Sequence, residues 1–504
     1  MSDDYDDLII GAGMAGLTVG ALLAAEGRRV LMLEAHDTPG GYAHTFRMGA
    51  YGFCAQVHYI FNCGEGEPVH DLVQRLGLGD EITFERLDPE GFDHVVVNGD
   101  RHRIPNGHEK HRDRLLRAFP TAERPIRRYF ETIMALEREL DVLPEAIGWR
   151  DVVMAPLRFP RLLRYRRATL QALYDDLEMP PHLQAILAGQ SGDYLLPPAE
   201  VSLLLHVALI RGYDRGAYYP KKHFRHFIDG IAGAITKRPG SRLVLNTEVE
   251  RIVVEKGRVV GVRTKGGELL TARRYVSNVD PRRTTELVGT IGLPSDWLRS
   301  LDYDYSCGTL TLYLGVRGFD LRKHGFGNFN VWHYPHSDLN AIYRAQNVDQ
   351  DFRDPWLFLS TPTFHTDEPG LCPPGDQILE IATSAAYAPW KRLRDTDRRR
   401  YNAEKKRLRE HIVGIVESRY APGLSKHLVM KVMGTPATNA RFCWAPEGNA
   451  YGAALTPKNV GATRVSFETP FENLWMVNAT AGYPSIGGAV RAGMDLFERL
   501  GREG

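Results

Sequence analysis

Five cysteines in 504 residues, Cys54, Cys63, Cys307, Cys372 and Cys443, are too few and too scattered for a disulfide framework or a thiolate metal site. Their odd, sparse count fits a reducing compartment, and the expected location is the cytoplasm. An excess of one charge is also missing. The 63 Lys and Arg balance 62 Asp and Glu, and the net charge of +1 supplies no basic field for nucleic acid. No uninterrupted apolar run reaches the roughly 18 residues that would span a bilayer. Met1 to Asp7 is acidic, with neither a basic n-region nor an apolar h-region, so no secretory signal is read there. A zinc-protease HExxH, a GxSxG elbow and a P-loop lysine are all absent. His108 and His111 stand three apart, as do His223 and His226, one short of the spacing that sets two ligands on one helical face. No metal site and no protein partner are expected.

What is present lies first at the N-terminus. Leu8-Ile9-Ile10 reads as a strand, Gly11-Ala12-Gly13-Met14-Ala15-Gly16 as a glycine turn opening a helix, and Val30 to Leu33 as a second strand ending in Glu34. Gly11 permits a tight turn, Gly13 lets the backbone approach a pyrophosphate, and Gly16 lets the helix pack close to the strand. The first amides of that helix then face phosphate oxygens, and Glu34 falls where a carboxylate meets a ribose hydroxyl. A dinucleotide site is the expectation.

Ala35 leads to Gly40-Gly41, which turns the chain into a loop instead of a second crossover helix and shifts the reading from NAD to FAD. At the other end of the chain, Asn473 to Asn478 reads as a short buried strand. Ala479 to Gly488 follows as a glycine-rich loop, and Ala489 to Leu500 has helical spacing. A second helix N-terminus beside a glycine loop suits the partial negative charge of a reduced flavin ring.

Taken over nearly its full length, the chain resembles the phytoene desaturases, carotenoid isomerases and retinol saturases, FAD enzymes with an amine-oxidase-like fold. The likeness rests on the N-terminal glycines, Gly40-Gly41, His44-Thr45-Phe46, Phe53, His58-Tyr59-Ile60, Tyr219-Pro220-Lys221, Tyr275 to Pro281, Pro446 to Gly448 with Tyr451-Gly452, and the C-terminal glycine block. His44-Thr45-Phe46 and His58-Tyr59-Ile60 make the retinol saturase-like branch the nearer one. The resemblance departs at Phe53-Cys54-Ala55-Gln56, where Phe-Asp-x-Gly is usual, at Lys222-His223, where a glycine pair is usual, and at Asn478, where glycine is common.

The resemblance implies an α/β fold: a Rossmann-type FAD lobe and a mixed α+β substrate lobe. The FAD lobe is expected from segments 1–75, 218–288 and 465–504, and the substrate lobe from 76–217 and 289–464. FAD is expected against the N-terminal turn with Met14 and Ala15, against Glu34 and Ala35, and against Gly40, Gly41, His44 and Thr45. Val249 is expected at the adenosine half. Asn278, Asn478 and Ala479, then Gly487, Gly488 and Ala489, would complete the site. Leu243 to Leu270 reads as a β-meander, Ile126 to Leu143 and Asp397 to Glu417 as helices, and Thr309 to Leu314 as a strand.

In such enzymes the flavin carries the reaction and few acid–base residues are needed. His58 and Tyr59 are the first candidates, His58 being either a proton donor tuned by an apolar wall or a structural histidine. Glu447 is either a second acid–base group or a turn residue. Cys54 is either redox-active or a small buried side chain. Lys222 and His223 either fill space or meet a polar substrate group. Val152 to Tyr174, rich in arginine and apolar residues, is either a peripheral membrane contact or a solvated face.

The implied activity is oxidation, reduction or isomerisation of carbon–carbon bonds in an apolar polyene or isoprenoid, saturation first. Amine oxidation, a polyene-polyketide redox or cyclisation reaction, and a non-enzymatic prenyl-binding role are the alternatives.

Overall fold

The computed structural model describes residues 5–143 and 149–502; Met1 to Asp4 of the acidic leader lie outside them. Five strands form a parallel sheet in the order Leu474–Met476, Ala272–Ser277, Tyr5–Ile10, Val30–Leu33, Arg242–Val244. The strands are short, and the two beside the glycine turn, ending Leu8-Ile9-Ile10 and spanning Val30–Leu33, are apolar there and buried. That continuous burial is the pattern of a parallel sheet covered on both faces. Ile10 pairs with both Leu33 and Ser277, which aligns the three strand ends where such sheets bind ligands.

The Met14–Ala25 helix is buried on nearly every residue, which makes it a central helix. It packs between the C-terminal helix Ile486–Arg502 and the helix His223–Thr236. Gly493 permits the first contact, because a Cβ there would stand 2.7 Å from Thr18.

The β-meander is shorter than the sequence reading. Val249–Glu255, Arg258–Thr264 and Leu269–Leu270 form a three-stranded antiparallel sheet, but Arg242–Val244 pairs with Val30–Leu33 as the edge of the parallel sheet. Its register sets Arg242, Leu243 and Val244 beside Leu31, Met32 and Leu33, with Leu243 and Val244 half-buried.

A second sheet has seven strands, in the order Leu428–Gly434, Gly308–Val316, Gln377–Ala385, Leu357–Ser360, Asn330–Tyr334, Asp93–Val97, Asp100–Ile104. All neighbours are antiparallel except Asn330–Tyr334 with Asp93–Val97. Helices Glu123–Asp141 and Arg398–Arg419 lie where the 3.6-residue spacing predicts them, to within a few residues.

Candidate active site

One cavity of about 840 Å³ opens at the carboxyl ends of the parallel strands and extends to the seven-stranded sheet. It lies toward the upper end of the usual size range for ligand sites. At its first end the wall is main chain. Gly11, Gly13, Met14 and Ala15 line it, and Gly40 and Gly41 lie across them. The Gly40 amide donates to the Ala12 carbonyl at 2.8 Å, and a Cβ on Gly41 would stand 3.4 Å from the Gly13 Cα.

Asn278 supplies a reason for these glycines that spacing did not reveal. A Cβ on Gly13 would fall 2.4 Å from the Asn278 Oδ1, and one on Gly16 would fall 2.6 Å from the Gly11 carbonyl. The Asn278 amide is fixed by donating to the Val477 carbonyl at 2.6 Å. It thereby ties the first glycine turn to the last strand of the same sheet.

Glu34 lines the cavity, but its carboxylate also holds the turn. Oε2 accepts from the Ala12 amide at 2.7 Å and Oε1 from the His36 amide at 2.8 Å. Each oxygen keeps a second lone pair for a ribose hydroxyl. His44 Nδ1 lies 2.6 Å from the Gly41 carbonyl, and burial lowers its pKa, so the ring is a neutral donor bracing the second glycine turn.

Ala35, Val249, Asn478, Ala479, Gly487 and Ala489 also line the cavity. Asn478 opens the C-terminal loop: its Oδ1 accepts from the Thr480 and Ala481 amides, and its Nδ2 donates to the Val279 carbonyl. The helix beyond starts at Ile486, where the Ser485 hydroxyl accepts from the Gly488 amide. Three expected contacts lie behind the wall instead. Gly16 lies on the helix face packed against the Gly11 carbonyl and Asn278, Thr45 faces His223 at 3.3 Å, and Gly488 packs on Tyr483.

The second end of the cavity is built from side chains. Phe61, Tyr213, Trp332 and Phe358 line it with Leu195 and Leu209. Tyr59 stacks on Tyr213 at 4.8 Å and on Phe358 at 5.8 Å. His58 and Tyr59 reach this end from the loop after strand Tyr51–Cys54. His58 Nδ1 meets the Glu380 Oε2 at 2.6 Å, on the central strand Gln377–Ala385, and its ring lies 5.2 Å from Phe358. An ionised Glu380 requires the hydrogen on Nδ1, which fixes the ring in one tautomer. The expected apolar wall is there, but a carboxylate orients the ring.

The Tyr59 hydroxyl lies between two carboxyl groups, 3.0 Å from Asp93 Oδ2 and 2.9 Å from Asp193 Oδ2. Asp93 opens a strand of the seven-stranded sheet and also accepts from Gln190 at 2.8 Å and Asn330 at 3.3 Å. Asp193 closes the turn Ser191–Asp193 and faces the cavity. Burial raises Asp93 to about 6; burial and the Asp93 charge raise Asp193 to about 8. Burial also pushes the Tyr59 phenol well up. Sequence reading missed Asp93, Asp193 and Glu380. The signal was a lone acid inside an apolar run, as in Ile378-Leu379-Glu380-Ile381.

Other expectations resolve differently. Glu447 is exposed at the cavity rim in a left-handed turn, φ +53°, and its carboxylate bonds to no described residue. Neither Lys222 nor His223 lines the cavity. Lys222 is exposed, while His223 is buried at φ +66°, a conformation that explains the glycine usual there. Cys54 is fully buried outside the cavity and burial pushes its thiol up, which makes it a packing residue. Gln56 takes the place of a glycine and bonds through Oε1 to Thr309 at 2.7 Å, pinning the loop to the large sheet.

The parallel sheet, its paired glycine turns and the second helix N-terminus define a dinucleotide-binding oxidoreductase fold. Residues 14–301, over half the chain, match the family described as flavin containing amine oxidoreductase. The chain belongs to that family, is an oxidoreductase and uses FAD. It is 26% identical to the all-trans-retinol 13,14-reductase of Danio rerio, across 94% of this chain and 82% of that protein. It is 23% identical to prolycopene isomerase 2 of an Oncidium hybrid cultivar, across 93% of this chain and 78% of that one. Among solved structures, putrescine oxidase with bound putrescine shares the fold at TM-score 0.66 and 14% identity, over 99% of both chains.

Proposed function

We propose that the chain oxidises, reduces or isomerises carbon–carbon bonds in an apolar polyene or isoprenoid, with saturation of a double bond as the first reading. The observation that carries it is the continuity of the cavity. A main-chain glycine cradle at one end opens into an aromatic slot at the other, whose acids among the described residues, Asp93, Asp193 and Glu380, are hydrogen-bonded to Tyr59 and His58. The names of the retinol reductase and prolycopene isomerase relatives agree with such a substrate.

The residues fit FAD. Glycines on both sides leave room for a pyrophosphate between amides, and Glu34 offers free lone pairs to a ribose. Met14 and Ile486 begin the helices whose first amides would hold the diphosphate and the flavin pyrimidine. Bound there, FAD supplies two-electron hydride chemistry. The aromatic walls hold the polyene flat and exclude water, and His58 presents one fixed tautomer to the slot.

The cofactor lobe is read as 1–75, 218–288 and 465–504 and the substrate lobe as 76–217 and 289–464; the two sheets draw their strands from those segments respectively. A peripheral membrane contact is read at Val153, Met154 and Leu157, exposed near Arg161 and Arg164, and sedimentation with anionic vesicles tests it. Among the described residues no helix is long and apolar enough to cross a membrane.

The purified chain is expected to be yellow, with an oxidised-flavin spectrum. A colourless chain that FAD cannot reconstitute overturns the proposal. Hydrogen peroxide release with amines would favour the amine-oxidase alternative instead.

A further inference from the structure

The contact between Tyr59, Asp93 and Asp193 contains a counting problem. A phenol carries one hydrogen, yet its oxygen lies within hydrogen-bond distance of two carboxyl groups, 3.0 and 2.9 Å away. The hydroxyl donates to one carboxylate. The other contact is attractive only if that carboxyl carries a proton and donates it to the phenol oxygen. Asp93 is the group held ionised, because Gln190 and Asn330 also donate to it. The remaining hydrogen therefore sits on Asp193, which is also the one of the two carboxyl groups that lines the cavity.

We propose that Asp193 is the proton donor of the reaction, a neutral carboxylic acid that hands its hydrogen to one carbon of the substrate double bond. This rests on the reading of the chain as a flavin enzyme acting on a polyene. Reduction of a double bond requires two electrons and two hydrogens. One hydrogen arrives with both electrons as hydride from reduced FAD, which is reoxidised; dithionite serves as the external reductant in vitro. The second is the Asp193 proton. Its O–H bond breaks as the π bond opens and a C–H bond forms on the neighbouring carbon. Asp193 is left as a carboxylate until solvent returns a proton.

The surroundings of Asp193 favour the neutral acid before transfer. The titratable groups acting on it are Asp93 from the large sheet, Tyr59 from the His58 loop and Tyr213 from helix Leu203–Arg215. Tyr194, Tyr334 and Tyr451 complete the set. None is cationic, and burial with the Asp93 charge outweighs the hydroxyls of Tyr59 and Tyr213, which alone favour a second buried negative charge. Proton transfer away from Asp193 creates that charge beside Asp93, and the repulsion draws a proton back from solvent.

The test has two arms. Infrared titration of the flavin-loaded protein should show a protonated carboxyl band at neutral pH, lost as pH rises through about 8 and missing in Asp193→Asn. A spectrum in which no band disappears with Asp193→Asn overturns the proposal whatever the substrate. In the second arm, dithionite-reduced enzyme meets all-trans-retinol in D2O. The wild type should form product carrying two solvent deuteriums, one from Asp193 and one transferred as deuteride, because dithionite supplies only electrons and the reduced flavin takes its hydrogen from solvent. Asp193→Asn should slow this at least about 100-fold with its flavin spectrum intact, and Asp193→Glu should recover part of the rate. Asp193→Asn turning over at the wild-type rate overturns the proposal and leaves the polyene reading standing. A wild type that reduces neither retinol nor any of a panel of carotenoids overturns that reading, and the proposal with it.

Discussion

The two ends of the cavity hold their ligand with different material. At the glycine end the contact surface is backbone, and its shape is set by what is missing: a Cβ at Gly13 or Gly16 would collide with Asn278 or with the Gly11 carbonyl. At the aromatic end the surface is side chain, and its chemistry is set by enclosed acids, Glu380 under His58 and the Asp93–Asp193 pair around Tyr59. The first end tolerates no added atom, and its titratable groups, Glu34 and His44, are tied up bracing the two turns. The second tolerates changes of shape and depends on protonation. A substitution at one end should therefore fail by geometry, and at the other by charge.

The largest expected effect breaks the geometric end. Gly16→Val should abolish flavin binding and cost roughly 3 kcal/mol or more, since its Cβ meets backbone and not a movable side-chain tip. Flavin absorbance and a denaturation midpoint on the same sample check it. Next, Glu380→Ala should cost about 1–3 kcal/mol, because it leaves the buried His58 Nδ1–H donor without its acceptor, and it should free the His58 ring. Urea unfolding and the histidine resonances in NMR report the two effects.

A third comparison uses pH. Because the folded pKa of Asp193 is raised, its contribution to stability is intact below the ordinary carboxylate value and is lost as pH climbs through about 8. Wild type should therefore lose stability between pH 5 and pH 9 on the order of a few kcal/mol, and Asp193→Asn should lose less. Urea midpoints at the two ends of that range decide it; equal losses would mean that Asp193 is ionised throughout. The smallest effect lies at the rim. Glu447→Gly relieves a left-handed residue, φ +53°, and should raise stability by at most about 1 kcal/mol, read from a melting curve.

The glycine end was legible in the sequence for the same reason that it is intolerant. Gly11, Gly13 and Gly16 are required at fixed spacing by the local turn, and Gly40-Gly41 by the next, so chain order alone carries the signal. Long periodic elements such as Arg398–Arg419 were equally plain. The strand Arg242–Val244 was misassigned because the run Leu243-Val244-Leu245 carries no information on whether its partner is local or two hundred residues away.

The aromatic end was half legible. His58 and Tyr59 stand together in the sequence, but their partners come from positions 93, 193 and 380, and only folding brings those carboxyl groups to one place. Lys222 and His223 stayed open between filling space and meeting a polar group for the opposite reason. They sit beside a familiar motif, yet the backbone turns one to solvent and the other under the wall.

The central claim is that one cavity joins an FAD cradle to a polyene slot. Anaerobic stopped-flow mixing of the dithionite-reduced holoenzyme with all-trans-retinol or a carotenoid tests it most directly. Return of the oxidised-flavin spectrum on adding polyene, with amines inert, is the result predicted. Oxidised flavin that is bleached by amines, with reduced flavin indifferent to every polyene, would contradict it.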